Sequence, residues 1–496
     1  MQPLVQAVLT SWCIPPAATF VILFTAATYL RGAWLLRRAG YPFLPAWRIA
    51  MFLLGLFMLW FALASPFDTF SSFFITAHMS QHMTLMMIAP PLLLLGEPLI
   101  PIVRGMPRFA AREFAGPFLN WRLAGSIGKF LTHPGTALIL MGAVMFIWHV
   151  PAPYELAVRS GAWHEFEHAC FFFVSIIFWW PVVQPWPSHP QWPRWAMVPY
   201  LVVADILNTI LSAILTFSEH LLYPSYGAGP RLFGVSALAD QAASGAVMWT
   251  VGSFAFLIPA ALIAVECLSR KPASRSGVRP SHRAASSEEA QFRETTNRLL
   301  TSGTVGRLVR SRTFEAVSFT LLFVAVAAIF LVLSVSHHDD DDQVLRGWQQ
   351  SGSFVIALYG LGGQLPIGSA EFAILVQDAA THTLLRDSEV VLSLRNANAE
   401  AARHSEAELG DENRLLFNGE VDLDSPGAWM LDIIVHHDSA TATASFPMEA
   451  VIPDTHLSLP WQSFVILALA ILLALVYFRR HHQRRPVALA ASVPQR

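Results

Sequence analysis

Apolar runs separated by short polar stretches occupy most of the chain. Runs long enough to cross a hydrocarbon layer of about 30 Å fall at about 12–33, 46–64, 74–95, 133–150, 163–183, 196–217, 237–267, 314–335 and 461–478. Seven precede residue 268 and two flank a different pattern. Between about 345 and 455 the apolar runs shorten: Phe354–Tyr359, Phe372–Val376, Val390–Leu394 and Trp429–Val435, punctuated by Gly, Pro, Asn and Asp. Within the last run Trp429, Leu431, Ile433 and Val435 alternate with Met430, Asp432 and Ile434, and His436 follows. That period of two describes a strand with one buried face, and several such strands in about 110 residues predict a small β-sandwich.

The expected fold is an α-helical polytopic membrane protein, a seven-span bundle plus two further spans, with an extracytoplasmic β-sandwich domain. Its parts are the seven-span domain (1–267), a basic linker (268–312), a span (313–336), the β-domain (337–458), a span (459–478) and a basic tail (479–496). Composition agrees. The 496 residues are 54% hydrophobic and 13% charged, against about 25% charged in soluble domains, which excludes a soluble enzyme and a disordered chain. The N-terminal run has no basic stretch before it and no small-residue cleavage site, so it reads as a retained span.

Charge then sets orientation. Lys and Arg concentrate in cytoplasmic loops. They cluster after the first run (Arg31, Arg37, Arg38, Arg48), after the third (Arg104, Arg108, Arg112, Arg122, Lys129), after the seventh and in the tail. The loop at 65–73 has none. The expected topology has the N-terminus outside and the C-terminus in the cytoplasm. The linker carries ten basic and three acidic residues, and residues 336–458 carry twenty acidic residues and five Arg. An acidic outer domain argues against nucleic acid. Cys13, Cys170 and Cys267 form no C-x-x-C, so neither a disulfide framework nor a thiol redox motif is expected.

Histidine carries the candidate chemistry. His78 and His82 lie four apart in the third run, His149 ends the fourth, and His164 and His168 lie four apart at the start of the fifth. Residues at i and i+4 share a helix face, and the topology brings all five to one depth in the outer half of the bilayer. Ionisable groups in spans are costly and tend to be functional. Imidazole suits copper, zinc, iron and haem, and Met79 and Met83 lean the set toward Cu(I). Imidazole ligands bind metal when neutral, so affinity should fall below about pH 6.5.

His164-Glu165-Phe166-Glu167-His168 fits both H-E-x-x-H and H-x-x-E-H. The first would make a zinc hydrolase with Glu165 as base. In either string Glu165 or Glu167 could instead orient a ring nitrogen. Asp240 stands ready to join the site or bond a ligand histidine. Asp205 is read as a polar relay or a pair to a neighbouring helix. His337-His338 before Asp339–Asp342, and His436-His437, form either a metal-collecting surface or solvated edges.

Several of these strings resemble a known family. His78-Met79-Ser80-Gln81-His82 running to Pro90-Pro91, Trp148-His149-Val150-Pro151 with Tyr154, His164-x-x-Glu167-His168 with Phe178-Trp179-Trp180-Pro181, and Asp240-Gln241 with Met248-Trp249 resemble the membrane-type cytochrome c oxidase assembly factor CtaG family associated with caa-type oxidases. The resemblance covers about residues 12–267. It implies a bacterial plasma-membrane protein that assembles the oxidase by delivering copper, with oxidase subunits and the lipid bilayer as partners, and no enzymatic activity. Gly352 and Gly427-Ala428-Trp429 resemble, more weakly, outer domains of the FixH-like and YtkA-like type. The alternatives are a copper transport or resistance protein, and a haem- or zinc-dependent membrane enzyme.

Overall fold

The computed structural model describes residues 11–12, 14–38, 44–107, 122–185, 188, 190–269, 343–361, 365–396, 403–410 and 415–451. The two runs expected at 314–335 and 461–478, nearly all of the linker, the tail and His337–Asp342 lie outside these residues.

The helices follow the apolar runs closely. They are α1 (Pro16–Arg38), α2 (Ala46–Ala64), the short α3 (Pro66–Ser71), α4 (Ile75–Met83), a π-helical turn (Thr84–Ile88), α5 (Ala89–Leu95) and α6 (Leu99–Gly105). After these come α7 (Arg122–Leu131), α8 (Pro134–His149), α9 (Pro151–Arg159), α10 (Gly161–Val183), α11 (Met197–Phe217), α12 (Ser225–Ala228) and α13 (Ala237–Ser269). Among the described residues, five helices are long and apolar enough to cross a membrane. The count rises to seven if the stretch from α4 to α6, bent by 70°, and the α8–α9 pair, bent by 71°, each count as one span. Pro98 and Pro151 stand at these bends. Proline has no N–H to donate and restricts the residue before it, so it breaks a helix there.

Side chains on the bundle's outside are apolar: Phe20, Ile139, Phe254 and Leu262 are all exposed, as lipid-facing positions require. Lipid gives helices no hydrophobic reason to associate, so close backbone contact and interhelical hydrogen bonds take over. Asn208 Nδ2 on α11 donates to Met248 O on α13 at 3.2 Å. It fits because Gly252 faces it; a Cβ there would lie 2.3 Å from that nitrogen. Asp205 accepts from Ser253 Oγ on α13 at 2.8 Å, so of the two roles expected for it, pairing to a neighbouring helix is the one seen.

The second domain has nine strands: β1 (Gln343–Ser351), β2 (Phe354–Leu361), β3 (Leu365–Pro366), β4 (Gly368–Asp378), β5 (Glu389–Asn396), β6 (Arg403–Leu409), β7 (Phe417–Leu423), β8 (Gly427–His437) and β9 (Ala440–Val451). The alternation read in the sequence is realised: Trp429, Leu431, Ile433 and Val435 are buried in the domain core. The architecture differs from the expected sandwich of two sheets. All strands join one sheet in the order β1-β2-β4-β7-β6-β5-β8-β9-β3, antiparallel except for β3 with β9. The two halves are linked by the short β6–β7 pairing of Glu408 with Asn418 and Leu409 with Phe417. The sheet then curls until β1 meets β9, where Gln349 Nε2 donates to Ser445 O at 2.6 Å and Gln349 Oε1 accepts from Ser445 N at 3.3 Å. It is nearly a barrel, which leaves few edge groups unpaired.

This domain sits on the helical bundle. Ala357, Ala373, Leu375, Leu415 and Leu416 pack against Phe70 of α3 and Leu232. Phe233 N donates to His382 O at 3.0 Å, and Trp348 Nε1 to Ala228 O at 3.1 Å.

Candidate metal centre

The site is built from α4 and α10. Helix α4 starts after an extended Phe74, which supplies no side-chain cap. The first N–H groups of a helix lack internal partners; here Asp240 of α13 accepts from Ile75 N at 2.6 Å and from Thr76 N at 3.3 Å. Asp240 O also accepts from Thr76 Oγ1 at 3.0 Å. The carboxylate sequence reasoning offered to the metal is thus engaged at the N-terminus of the histidine-bearing helix, where a negative charge also suits the helix dipole. After His82 the helix widens into the π-turn. Pro90 has no N–H for Met86 O, and Trp179 Nε1 of α10 donates to that oxygen instead, at 3.1 Å. π-Turns of this kind recur at functional sites.

On α10, His164, Glu167 and His168 fall at i, i+3 and i+4, one face of a helix. His78, His82, His164 and Glu167 each present a donor atom, and these four atoms lie within 4.8 Å of one another. Glu167 Oε2 stands 3.6 Å from His78 Nε2 and 3.9 Å from His82 Nε2. All three side chains are at most 2% exposed. No hydrogen bond reaches His78 Nε2, either ring nitrogen of His82, or either carboxylate oxygen of Glu167. Buried polar atoms are nearly always paired, so orphans converging on one point are the outstanding feature of this bundle.

The tyrosines settle which nitrogen of His78 is free. Tyr226 OH spends its one proton on Ser71 O at 2.7 Å. At His78 Nδ1, 3.4 Å away, the phenol oxygen therefore accepts, and Nδ1 carries the proton. The lone pair of His78 is on Nε2 and points at the Glu167 carboxylate. A lone pair facing an anion is repulsive unless a proton or a metal cation lies between them. Imidazoles whose second nitrogen is held by hydrogen bonding are the usual form of metal ligand. Tyr154 stacks on Tyr223 at 3.8 Å and donates to the Tyr226 hydroxyl at 3.4 Å, completing the wall behind His78.

The remaining candidates lie beside the set. His168 packs with its ring 4.1 Å from His164 and 5.2 Å from His82; both of its nitrogens are buried without hydrogen bonds. His149 donates from Nδ1 to Met145 O at 2.7 Å, which leaves its buried Nε2 as the lone pair. Phe171 touches the rings of both His82 and His149. Met79 and Met83 are buried in the helical core. In the β-domain, His436 bonds Thr441 Oγ1 at 2.9 Å and His437 bonds Ser388 Oγ at 3.2 Å. Among the described residues they join no cluster of metal-ligating groups.

Sequence reasoning passed over Tyr226 and Tyr223, and named Gln241 beside Asp240 without giving it a role. Gln241 accepts from Leu222 N at 2.7 Å and donates to His220 O at 3.1 Å, fixing the loop that carries both tyrosines. Adjacent Asp240 and Gln241 therefore secure the ligand helix and the loop behind it.

Among known proteins the chain is similar to an uncharacterized protein of Mycobacterium leprae, 29% identical over 244 residues, which are 49% of this chain and 37% of the relative. An uncharacterized protein of Mycobacterium bovis is 28% identical over 258 residues, 50% of this chain and 38% of the relative. The chain spans little more than a third of the length of these curated relatives. No solved structure matches. The β-domain lies outside the family match, which therefore lends nothing to its likeness to FixH-like domains. The helical region falls within the match: residues 27–270 match the family described as cytochrome c oxidase caa3 assembly factor (Caa3_CtaG).

Proposed function

We infer that the chain serves in assembling a cytochrome c oxidase, holding a copper ion at His78, His82, His164 and Glu167 and releasing it to an oxidase subunit. It does so as a carrier rather than an enzyme, in a bacterial plasma membrane with the β-domain outside. The observation that carries the metal is the orphaned lone pair of His78 Nε2 facing Glu167 Oε2 at 3.6 Å. A cation seated among the four donors removes that repulsion and satisfies the buried nitrogens together. Three imidazoles fit copper well. His149 and His168, with buried lone pairs nearby, offer further donors if the metal shifts between positions. The match to the oxidase assembly-factor family supports the oxidase as recipient.

The test is made in cells. A strain lacking this chain should assemble oxidase deficient in copper. The wild-type chain should restore the metal, and a variant with His78 and His82 both changed to Ala should not. Full metallation of the oxidase without the chain would refute the proposal.

A further inference from the structure

The four donors are not equally sealed. His78, His82 and Glu167 are buried, whereas His164 is only half-buried. A cleft at the β-domain end of the bundle explains the difference. It is lined by His78, His164, Glu165, Tyr226, Asp68 and Ser72 among others. It offers water about 70 Å³, room for a few molecules at about 10–15 Å³ each on that measure. His78 and His164 belong to both the donor set and the cleft. His78 is 2% exposed, and its Nε2 takes no hydrogen bond.

We propose that this cleft is the passage by which a metal cation moves between the surface and the buried donors, with His164 as the ligand that hands it across. The claim rests on the reading of the set as a metal site. The chemistry along the cleft is ordered for such a transfer. The Asp68 and Glu165 carboxylates attract a hydrated cation, and oxygen ligands replace its water before imidazole takes over. Glu165 lies one residue off the ligand face of α10, which places it in the cleft and Glu167 in the set. Asp68 is held by Gln81 Nε2 at 2.7 Å, a residue between the two histidines of α4. A cation at Asp68 is thus one side chain from the donor helix.

The test reads transfer of Cu(I) from loaded, detergent-solubilised full-length protein to a bicinchoninate chelator. The background carries Cys13→Ser, Cys170→Ser and Cys267→Ser, so that Ser72→Cys can be labelled with a bulky maleimide at an exposed site of the cleft. Labelling should slow both release and uptake about tenfold and leave the copper bound at equilibrium unchanged. The same label at Glu219→Cys, exposed on another loop, should have no effect. Glu165→Gln should slow transfer about threefold, again at unchanged equilibrium content. Unaltered rates in labelled Ser72→Cys, with copper still bound, would overturn the passage while leaving the metal site standing. Failure of the wild type to bind copper would overturn both.

Discussion

The helical bundle and the β-domain treat buried polar groups in opposite ways. In the β-domain, Asp432 is paired with Arg395 at 2.5 Å and accepts from Ser445 Oγ at 2.6 Å. Ser388 bonds both Leu385 O and His437. Gln377 Oε1 and His382 Nδ1 take no hydrogen bond there, yet among the described residues they join no cluster of metal-ligating groups. In the bundle, the unbonded nitrogens and oxygens of His78, His82 and Glu167 converge on one point, with those of His168 beside them. An unsatisfied buried polar group costs about 1–3 kcal/mol, so a cluster of them persists where another interaction compensates. One domain spends its polar groups on its own stability, and the other holds them for something that arrives.

The sharpest way to break this contrast is to remove histidines from each side of it. His82→Ala should abolish tight copper binding, and His437→Ala should leave it unchanged; competition against a Cu(I) chelator reads both. The second largest effect runs the other way. Ile433→Ala empties a fully buried site in the β-core and should destabilise that domain by about 2–5 kcal/mol, seen in denaturant unfolding, while copper content holds. A smaller effect is expected from Tyr226→Phe. It removes the hydroxyl that fixes the His78 ring, and outer-shell partners of ligands are worth about 10–100-fold in metal affinity.

Asp240→Ala should cost about 1 kcal/mol through the lost cap of α4, read as a lower thermal midpoint, with copper still bound in the folded fraction. The mildest test is Asp378→Asn. Hydrogen bonds from the Thr381 N–H and hydroxyl hold the exposed Asp378 carboxyl below its usual range. A depressed carboxyl contributes stability above the unfolded pKa and loses it as pH falls through the folded one. The wild type's small advantage over Asp378→Asn should therefore vanish on acidification, in a pH series of unfolding curves.

Legibility in the sequence also divided along physical lines. The apolar run 46–64 is helix α2 residue for residue, and 74–95 differs from the α4–α5 stretch by one residue, because a helix that crosses lipid needs about 20 mostly apolar residues in a row. The pairing of His78 with His82, and of His164 with His168, followed from helix periodicity. The His164–His168 string stayed open between Glu165 and Glu167 in the sequence; the structure puts Glu167 among the donors and Glu165 in the cleft. What depended on distant partners was not legible. Asp240 caps a helix that starts 165 residues earlier, and Tyr226 reaches His78 from a loop with no periodic signal. The sheet's curl depends on the short β6–β7 register and on Gln349 meeting Ser445, neither of which alternation encodes.

The most direct measurement is elemental analysis of the purified, detergent-solubilised protein after Cu(I) loading, with an optical spectrum. A variant in which His78, His82, His164 and His168 are all Ala would be measured beside it. Copper retained by the wild type and lost from the variant, without a haem Soret band, is the expected result. Equal copper in the two, none in either, or zinc or haem in place of copper would contradict a copper site in the bundle.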